Sequence, residues 1–472
     1  MGCWVISAMA QNLYSQLRGK RILIAGAGVT GVAVAQALVR REAVVTIVDE
    51  YVDVNENFRV ISPNDVQWKD YDLFFLSPGW REDHPLVMGA RQAKIALANE
   101  IDLAWSLKNP TQKWLALTGT NGKTTTVELA AAMLRSGGLN AIACGNVGTT
   151  VIESVDSPEK YDYLILELSS FQLHWLEDAQ FVAAAVLNIA QDHVDWHGSF
   201  DAYASDKLSI LDRAMTAILN ADDAVVITRT THWQGRKVFF SLDTPGPGEI
   251  GVVEELLIDR AFVADSQEAA MFAELGEVTP TVPHNVSNTL AAAGLARTVG
   301  VSHEAIRSAI STFSPGSHRI EKVLEKDSIT WVNDSKATNP HAAAASVMSA
   351  LSVIWIAGGL AKGASMVELI DRIKNRVRVA VLIGEDRDLI ADELERQAPH
   401  ISIVRIDPPA TYSKGAESNS LMESVVQACK DRANVGDTVL LAPACASMDQ
   451  FISYSDRGDR FKRAVKKLVQ HG

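Results

Sequence analysis

Short apolar runs rich in Val, Ile and Leu alternate with stretches of helical periodicity along almost the whole chain. Strands of a parallel sheet read as continuous β-branched runs because both faces are covered, and the intervening periodic stretches supply the covering helices. The pattern predicts an α/β protein of three units, each a mostly parallel sheet with helices. In the first unit the strand RILIAG follows Lys20, a helix opens at Val29, and VVTIVD and LFFLSPG return as strands. The polar, proline-bearing LKNPTQK reads as one boundary and the turn cluster SPGSHR after Phe313 as another, which places domains at 1–110, 111–313 and 314–472. The second unit opens on WLALTG and a helix from Lys123 to Arg135, continues through strands YLILEL and AAVLNI, and reaches a helix around Ala202 to Asp212. After Val226 the periodicity loosens into polar segments around TPGPGE, and helical signal returns from His284 to Val299. The third carries ITWVND, a helix from Pro340, the strands SVIWIAGG, VAVLIG, ISIVRI and TVLLA, and a basic final helix RFKRAVKKL.

Two glycine-rich loops lie at strand-to-helix junctions. Gly26-Ala-Gly28-Val-Thr-Gly31 is followed by Asp49 at the end of the next strand. Its glycines permit a tight turn and close approach, and the helix N-terminus faces a phosphate. Alone, it fits a nicotinamide dinucleotide, another nucleotide, or a turn that serves packing. Thr118-Gly-Thr-Asn-Gly-Lys-Thr-Thr125 is sharper. Its backbone N–H groups suit phosphates, Lys123 places a cation at the β/γ oxygens, and Thr124 offers a hydroxyl to Mg²⁺. It departs from the standard phosphate loop in carrying Leu117 at the first glycine position.

Glu167 ends the strand of YLILELSSFQ, and Asp192-His193 follow AAVLNI. All three project from carboxyl ends of strands, where open sheets bind ligands. Mg²⁺ is favoured over Zn²⁺, because no second His stands at metal-ligand spacing and a nucleotide loop is present. Lys207, in YASDKLSIL, reads by itself as a solvated lysine on a helix face. His284, Asn285 and Asn288 open a helix, where Asn either caps the end or reads an adenine edge. Asn333-Asp334-Ser335-Lys336-Ala-Thr338-Asn339 crowds polar side chains at another junction, as a site or as a helix cap.

Composition narrows the function classes. The chain has 472 residues with 44 basic and 57 acidic side chains, a formal charge of −13, which disfavours nucleic acid as a partner. Charged residues make 21% and hydrophobic ones 47%, excluding disordered and collagen-like chains. Cys3, Cys144, Cys429 and Cys445 show no metal spacing and cannot form a dense disulfide framework, so a reducing cytoplasm is expected. No apolar run approaches the roughly 20 residues of a membrane span. The opening MGCWVISAMAQ lacks the basic region of a signal peptide and is expected to be a frayed extension.

Taken in order, TGTNGKT, ELSSFQ, the DH pair after a strand, the YxxxK helix, HNxxN, the HR at Arg319 and NDSKATN resemble the Mur ligase family, ATP-dependent amino-acid ligases of peptidoglycan synthesis. The resemblance covers nearly the whole chain beyond the first dozen residues. Within the family, GAGVTG, LSPG, ELSSFQL and PACASMDQF are similar to the members that add D-glutamate to UDP-N-acetylmuramoyl-L-alanine. It implies a Rossmann-like N-terminal domain, a phosphate-loop-type central ATPase and a Rossmann-like C-terminal domain, binding UDP-sugar, ATP and amino acid respectively in a cytoplasmic monomer. The first glycine motif is then reassigned from nicotinamide to a UDP diphosphate, with Val29, Thr30, Asp49, Ser77, Pro78 and Gly79 around the nucleotide.

The resemblance further implies that Gly119, Thr120, Asn121, Gly122, Lys123, Thr124 and Thr125 hold the ATP phosphates. Asn285 and Asn288 would meet the adenine, and Arg319 and Asp334 the γ-phosphate side and the ribose. Mg²⁺ would be held by Thr124, Glu167, His193 and Lys207, the last carbamylated by CO₂, with Lys123, Glu167, His193 and Lys207 carrying catalysis. Asn146 would contact the muramoyl-alanine part. Lys336, Thr338, Lys362, Ser447, Met448 and Tyr454 match positions that hold D-glutamate. Two departures fall in this acceptor region: GGLAKG lacks the acidic residue often seen before the lysine, and Tyr454 stands where an aromatic without a hydroxyl can stand. A Mur-type ligase with another acceptor is the alternative within the family. Outside it stand an NAD-dependent dehydrogenase, which would leave TGTNGKT unexplained, and a non-catalytic nucleotide-sensing module, which needs no Glu167, His193 and Lys207.

Overall fold

The computed structural model describes residues 13–14, 16–50, 57–265, 267–408 and 418–470, so the opening MGCWVISAMAQ lies outside the described residues. Three sheets form, as the alternating pattern requires. The first contains β1 (Arg21–Ala25), β2 (Val44–Val48), β3 (Arg59–Ile61), β4 (Leu73–Phe75) and β5 (Ala96–Ala98), all parallel in the order β3-β2-β1-β4-β5. The order reverses at β1, and such a switch point opens a crevice at the carboxyl ends of the strands.

The second sheet has nine strands: β6 (Lys113–Thr118), β7 (Ala141–Gly145), β8 (Tyr163–Glu167), β9 (Phe181–Val186), β10 (Ala214–Asn220), β11 (Arg236–Phe240), β12 (Glu249–Val253), β13 (Leu256–Asp259) and β14 (Ala270–Glu274). Their order is β14-β13-β12-β11-β10-β9-β6-β8-β7, with β6 parallel to both neighbours. Pairing turns antiparallel only at β12-β13 and β13-β14. The stretch after Val226 thus holds four strands where the sequence pattern loosened. They are short and only partly covered, so they lack the unbroken apolar runs of β6, β8 and β9. The helix expected around Ala202 to Asp212 runs instead from Phe200 to Leu208 and tightens into a 3₁₀ turn over Ser209–Arg213.

The third sheet is ordered β15-β16-β20-β17-β18-β19, from β15 (Glu321–Lys326), β16 (Ile329–Asn333), β17 (Val353–Gly358), β18 (Val377–Ile383), β19 (Ser402–Arg405) and β20 (Thr438–Leu441). Only β15 is antiparallel. The final helix begins at Tyr454, earlier than the basic run suggested, because Ser453 accepts the Asp456 N–H at 3.1 Å and caps it.

By contact density the chain divides into two compact units. One comprises Met1–Ile189, Gly198–Thr281 and Asn285–Phe313; the other comprises Ala190–His197, Val282–His284 and Ser314–Gly472. The first unit contains both the five- and the nine-stranded sheet. Ile22, Leu38, Leu103, Trp114, Leu164 and Phe181 belong to one continuous buried cluster, so apolar packing runs through residue 110 without a break. Two buried carboxylates reinforce that junction. Glu100 accepts the Ile152 N–H at 2.9 Å, and Asp102 accepts those of Glu177, Asp178 and Ala179, each at 2.9 Å. Burial pushes the Glu100 carboxyl up to about 7.

Candidate active site

The central loop takes its shape from where β6 ends and the helix Lys123–Ser136 begins. Gly122 sits at φ +84°, a left-handed conformation that glycine adopts freely, and it contributes no capping side chain. A Cβ there would also lie 2.2 Å from Asn288 Oδ1, so the glycine lets Asn288 rest against the loop. Asn288 and Asn285 are buried near the start of the helix Pro283–Thr298, where Asn285 donates to the Pro280 carbonyl at 3.0 Å. Asn121 N–H donates to Asn188 Oδ1 at 2.8 Å, and Asn188 returns a bond to the Asn121 carbonyl at 3.1 Å. Thr120 Oγ1 pairs with the Tyr203 hydroxyl at 2.9 Å. Lys123 Nζ curls over the loop, donating to the Gly119 and Thr120 carbonyls at 2.8 and 3.0 Å. Thr124 and Thr125 are buried in the first turn.

Glu167 closes β8 and is buried. Its Oε1 accepts from Asn146 Nδ2 at 3.1 Å, while Oε2 is buried with no hydrogen-bond partner. A buried carboxylate oxygen left in that state is costly, and a hard cation is a species that would satisfy it. Lys207 is only 2% exposed, which overturns its reading as a solvated lysine. Its Nζ donates to the Gly119 carbonyl at 2.8 Å, lies 3.4 Å from Thr118 Oγ1, and sits 4.9 Å from the centre of the Tyr203 ring. The phosphate loop, Glu167, Asn146 and Lys207 therefore form one constellation at the carboxyl ends of β6 and β8.

No group of three or more His, Cys, Asp and Glu that could hold a metal occurs among the described residues. The donors at the loop are the orphan oxygen of Glu167 and the Thr124 hydroxyl, which are oxygen ligands of the kind Mg²⁺ takes. His193 is placed differently. It sits at φ +50° in the segment Ala190–His197, which groups with the second unit, and its Nε2 lies 3.7 Å from Asp192 Oδ2.

The glycine motif of the first sheet is also a close-approach device. Gly26 adopts φ +89°, and a Cβ on Gly31 would lie 2.0 Å from the Gly26 carbonyl oxygen. Asp49 Oδ2 accepts the Ala27 N–H at 2.7 Å, and the Ser77 hydroxyl donates to the Ala25 carbonyl. Gly26–Gly31, Asp49 and Ser77 are thus brought together beyond β1, β2 and β4. Val29, which opens the helix Val29–Val39, is 74% exposed, Thr30 follows it in the first turn, and Pro78 and Gly79 follow Ser77. Gly31→Ala is expected to lose about 1–3 kcal/mol by forcing strand and helix apart. An unchanged urea midpoint would contradict the close approach.

In the second unit, Asp334 follows β16 and is buried. It accepts from the Ser346 hydroxyl and from the Ile320 N–H at 3.3 Å, and burial raises its carboxyl to about 6. Arg319 lies between His318 and Ile320, both at positive φ. Lys336 Nζ meets the Tyr454 hydroxyl at 3.2 Å and the Tyr454 ring centre at 4.5 Å. The Thr338 N–H donates to the Lys336 carbonyl at 2.8 Å. Lys362 stands at φ +51° in GGLAKG, which pairs with PACASM through reciprocal Leu360 and Ala446 backbone bonds of 2.9 Å. Ser447 is buried and Met448 exposed on the latter loop. Buried Arg457 donates to Ser335 Oγ at 3.0 Å and to the Cys445 carbonyl at 3.2 Å. Lys336, Thr338, Lys362, Ser447 and Met448 on loops, and Tyr454 at the start of the final helix, therefore lie within one unit.

Asn188 and Arg457 were not singled out by sequence reasoning. An Asn just past a strand and an Arg inside a basic helix carry no local mark of their role.

A phosphate loop with a buried lysine and carboxylate at the carboxyl ends of β6 and β8, in the unit that also holds a second nucleotide-type loop, defines a nucleotide-dependent enzyme. The Mur ligase middle domain matches residues 117–296, and the Mur ligase glutamate ligase domain matches 318–445. The UDP-N-acetylmuramoylalanine–D-glutamate ligase of Thermobifida fusca is 46% identical, covering 96% of this chain and 100% of its own length. The enzyme of the same name from Streptomyces coelicolor is 43% identical, over 96% of this chain and 99% of its own. In fold, the chain resembles a pseudomurein peptide ligase type C from Methanothermus fervidus, with a TM-score of 0.61 at 16% identity over 95% of this chain and 100% of that one. The chain belongs to the Mur ligase family, ATP- and Mg²⁺-dependent ligases that form amide bonds. No helix among the described residues is long and apolar enough to cross a membrane.

Proposed function

We propose that the protein joins D-glutamate to UDP-N-acetylmuramoyl-L-alanine at the expense of ATP, a step of peptidoglycan precursor synthesis. The names of the 46% and 43% identical relatives support the substrates. The observation that carries the chemistry is the orphan oxygen of buried Glu167 beside a phosphate loop onto which Lys207 folds.

The substrate carboxylate attacks the γ-phosphorus and ADP leaves, giving an acyl phosphate. The D-glutamate amine then adds to the acyl carbon, and the tetrahedral adduct collapses to an amide and inorganic phosphate. Both reactants of the first step are anions, so positive charge and in-line placement dominate the barrier. Lys123 and the loop N–H groups orient the phosphates, and Asn146 holds Glu167 while facing the muramoyl-alanine. Thr124, Glu167, His193 and Lys207 would hold Mg²⁺, which would supply charge neutralisation for this step. Lys207 serves as a carbamate in this reading. Its neutral amine takes CO₂ and releases a proton, turning a cation into an oxygen donor.

Val29, Thr30, Asp49, Ser77, Pro78 and Gly79 bind the UDP part, Asn285 and Asn288 the adenine, and Arg319 and Asp334 the ribose and γ-phosphate side. Lys336 and Lys362 answer the two carboxylates of D-glutamate, with Thr338, Ser447, Met448 and Tyr454 completing the site. In this reading the domains run over 1–110, 111–313 and 314–472, in a cytoplasmic monomer.

Phosphate release from ATP with UDP-N-acetylmuramoyl-L-alanine, tested against a panel of amino acids, examines this reading. D-glutamate is expected to support turnover, and L-glutamate and L-alanine at most weakly, since fixed carboxylates present only one enantiomer's amine for attack. Lys362→Ala should raise the D-glutamate KM about 10- to 100-fold, the loss of a charged hydrogen bond. Faster turnover with L-alanine, L-lysine or diaminopimelate would overturn the acceptor and leave the ligase.

A further inference from the structure

His174 lies in the last turn of the helix Ser170–Trp175, which follows Glu167 directly. Its Nδ1 is 3.1 Å from Asp206 Oδ2, and its Nε2 is 3.4 Å from Glu82 Oε1, an ion-pair separation longer than a well-formed hydrogen bond. Each carboxylate sits beside a segment the reaction uses. Asp206 is the residue before Lys207 on the helix Phe200–Leu208, and Glu82 follows the Ser77-Pro78-Gly79 loop. The helix that carries His174 meets the second of these segments again where Trp175 Nε1 donates to the Trp80 carbonyl at 3.1 Å.

We propose that His174 is a positioning residue for the ligase reaction: as an imidazolium it binds Asp206 and Glu82 together, fixing the helix that delivers Lys207 and the loop that follows Ser77-Pro78-Gly79. This rests on the roles assigned above to Lys207 and to that loop. Neighbouring positions on a helix point about 100° apart, so anchoring Asp206 on one side sets the rotation at which Lys207 reaches the Gly119 carbonyl. A positive group in the last turn also suits the helix dipole.

The hydrogen bond to Asp206, with the charge of Glu82 beside it, holds His174 above the ordinary histidine range despite partial burial. Two other cations stand nearby: Arg91 shares Glu82 with His174, pairing with its other oxygen at 3.3 Å, while Arg213, on the adjoining 3₁₀ turn, donates to the Ser209 and Leu176 carbonyls. The sign follows from the raised value. The clamp is complete below about pH 6.5, the unperturbed histidine value, and is lost as pH rises through the higher value of the folded protein.

The test is kcat and the UDP-N-acetylmuramoyl-L-alanine KM of the full chain from about pH 6 to about pH 9, with saturating bicarbonate to hold Lys207 modification constant. The wild-type chain should lose kcat/KM about three- to tenfold along an alkaline limb, a modest effect because Glu82 is solvent-facing. His174→Gln, which keeps polarity but does not titrate, should start at the lower value and show no such limb. Glu82→Gln, a change on an exposed loop, should move the limb to lower pH, and it decides the question if His174→Gln does not fold. A wild-type limb in His174→Gln, or an unmoved one in Glu82→Gln, overturns the proposal. Lys207→Ala in the same assay separates the two readings. Full activity there removes the site assignment itself, whereas an inactive Lys207→Ala with an unaltered limb in His174→Gln removes only the clamp.

Discussion

Lys123→Ala is expected to reduce kcat about 10²- to 10³-fold while UDP-sugar binding persists. The lysine stands on the first turn after Gly122, where its ammonium bridges the Gly119 and Thr120 carbonyls at 2.8 and 3.0 Å. Moving to a phosphate exchanges two neutral acceptors for a developing anion. Removing one such preorganised donor typically costs about 3–4 kcal/mol of transition-state stabilisation. The loop would survive, because the Asn121–Asn188 pair and the Thr120–Tyr203 contact hold it without Lys123. The UDP site proposed on the first sheet should be unaffected. Phosphate release and calorimetric titration with the UDP-sugar check both halves, and normal turnover by a folded variant would remove the phosphate-loop assignment.

Lys207→Ala should abolish turnover, with part of it returning on addition of formate or acetate. At 2% exposure the lysine occupies a closed volume against Tyr203 and the loop, and truncation leaves a cavity there. If the working group is a carbamate, a small carboxylate entering that cavity presents the same oxygen donor to Mg²⁺. If instead the ammonium itself works on the Gly119 carbonyl, an added anion restores nothing. Rescue titrated against carboxylate size decides between them, since propionate and larger acids should fail where formate succeeds. An unmodified ammonium at Lys207 in a Mg²⁺–nucleotide complex crystallised with bicarbonate would refute the carbamate directly.

Much of this architecture is written locally. Continuous apolar runs determined β1, β2, β6, β8, β9, β17, β18 and β20, because a strand buried on both faces has few polar positions to spare. Gly26, Gly31 and Gly122 were legible for a related reason: positive φ or near-zero clearance leaves glycine as the residue that fits. Glu167 could be placed at a strand's carboxyl end, and so at the edge of a crevice, from the topology that such runs imply.

What the runs did not determine depends on residues far apart in sequence. The strands β11–β14 carry weak patterns because each is partly exposed, and only their neighbours in the sheet define them. Lys207 looks like any helix-face lysine until its helix packs against the loop 88 residues away. Asn188 meets Asn121 across 67 positions, and His174 meets Asp206 across 32. The sequence by itself determined the two-sidedly buried parallel strands and the glycine turns, since backbone sterics and two-sided burial act over a few neighbouring residues. Which lysine is buried, which carboxylate oxygen is left unpaired and which histidine becomes an ion-pair bridge were decided only by tertiary packing, because desolvation and charge pairing depend on what the rest of the chain brings within a few ångströms.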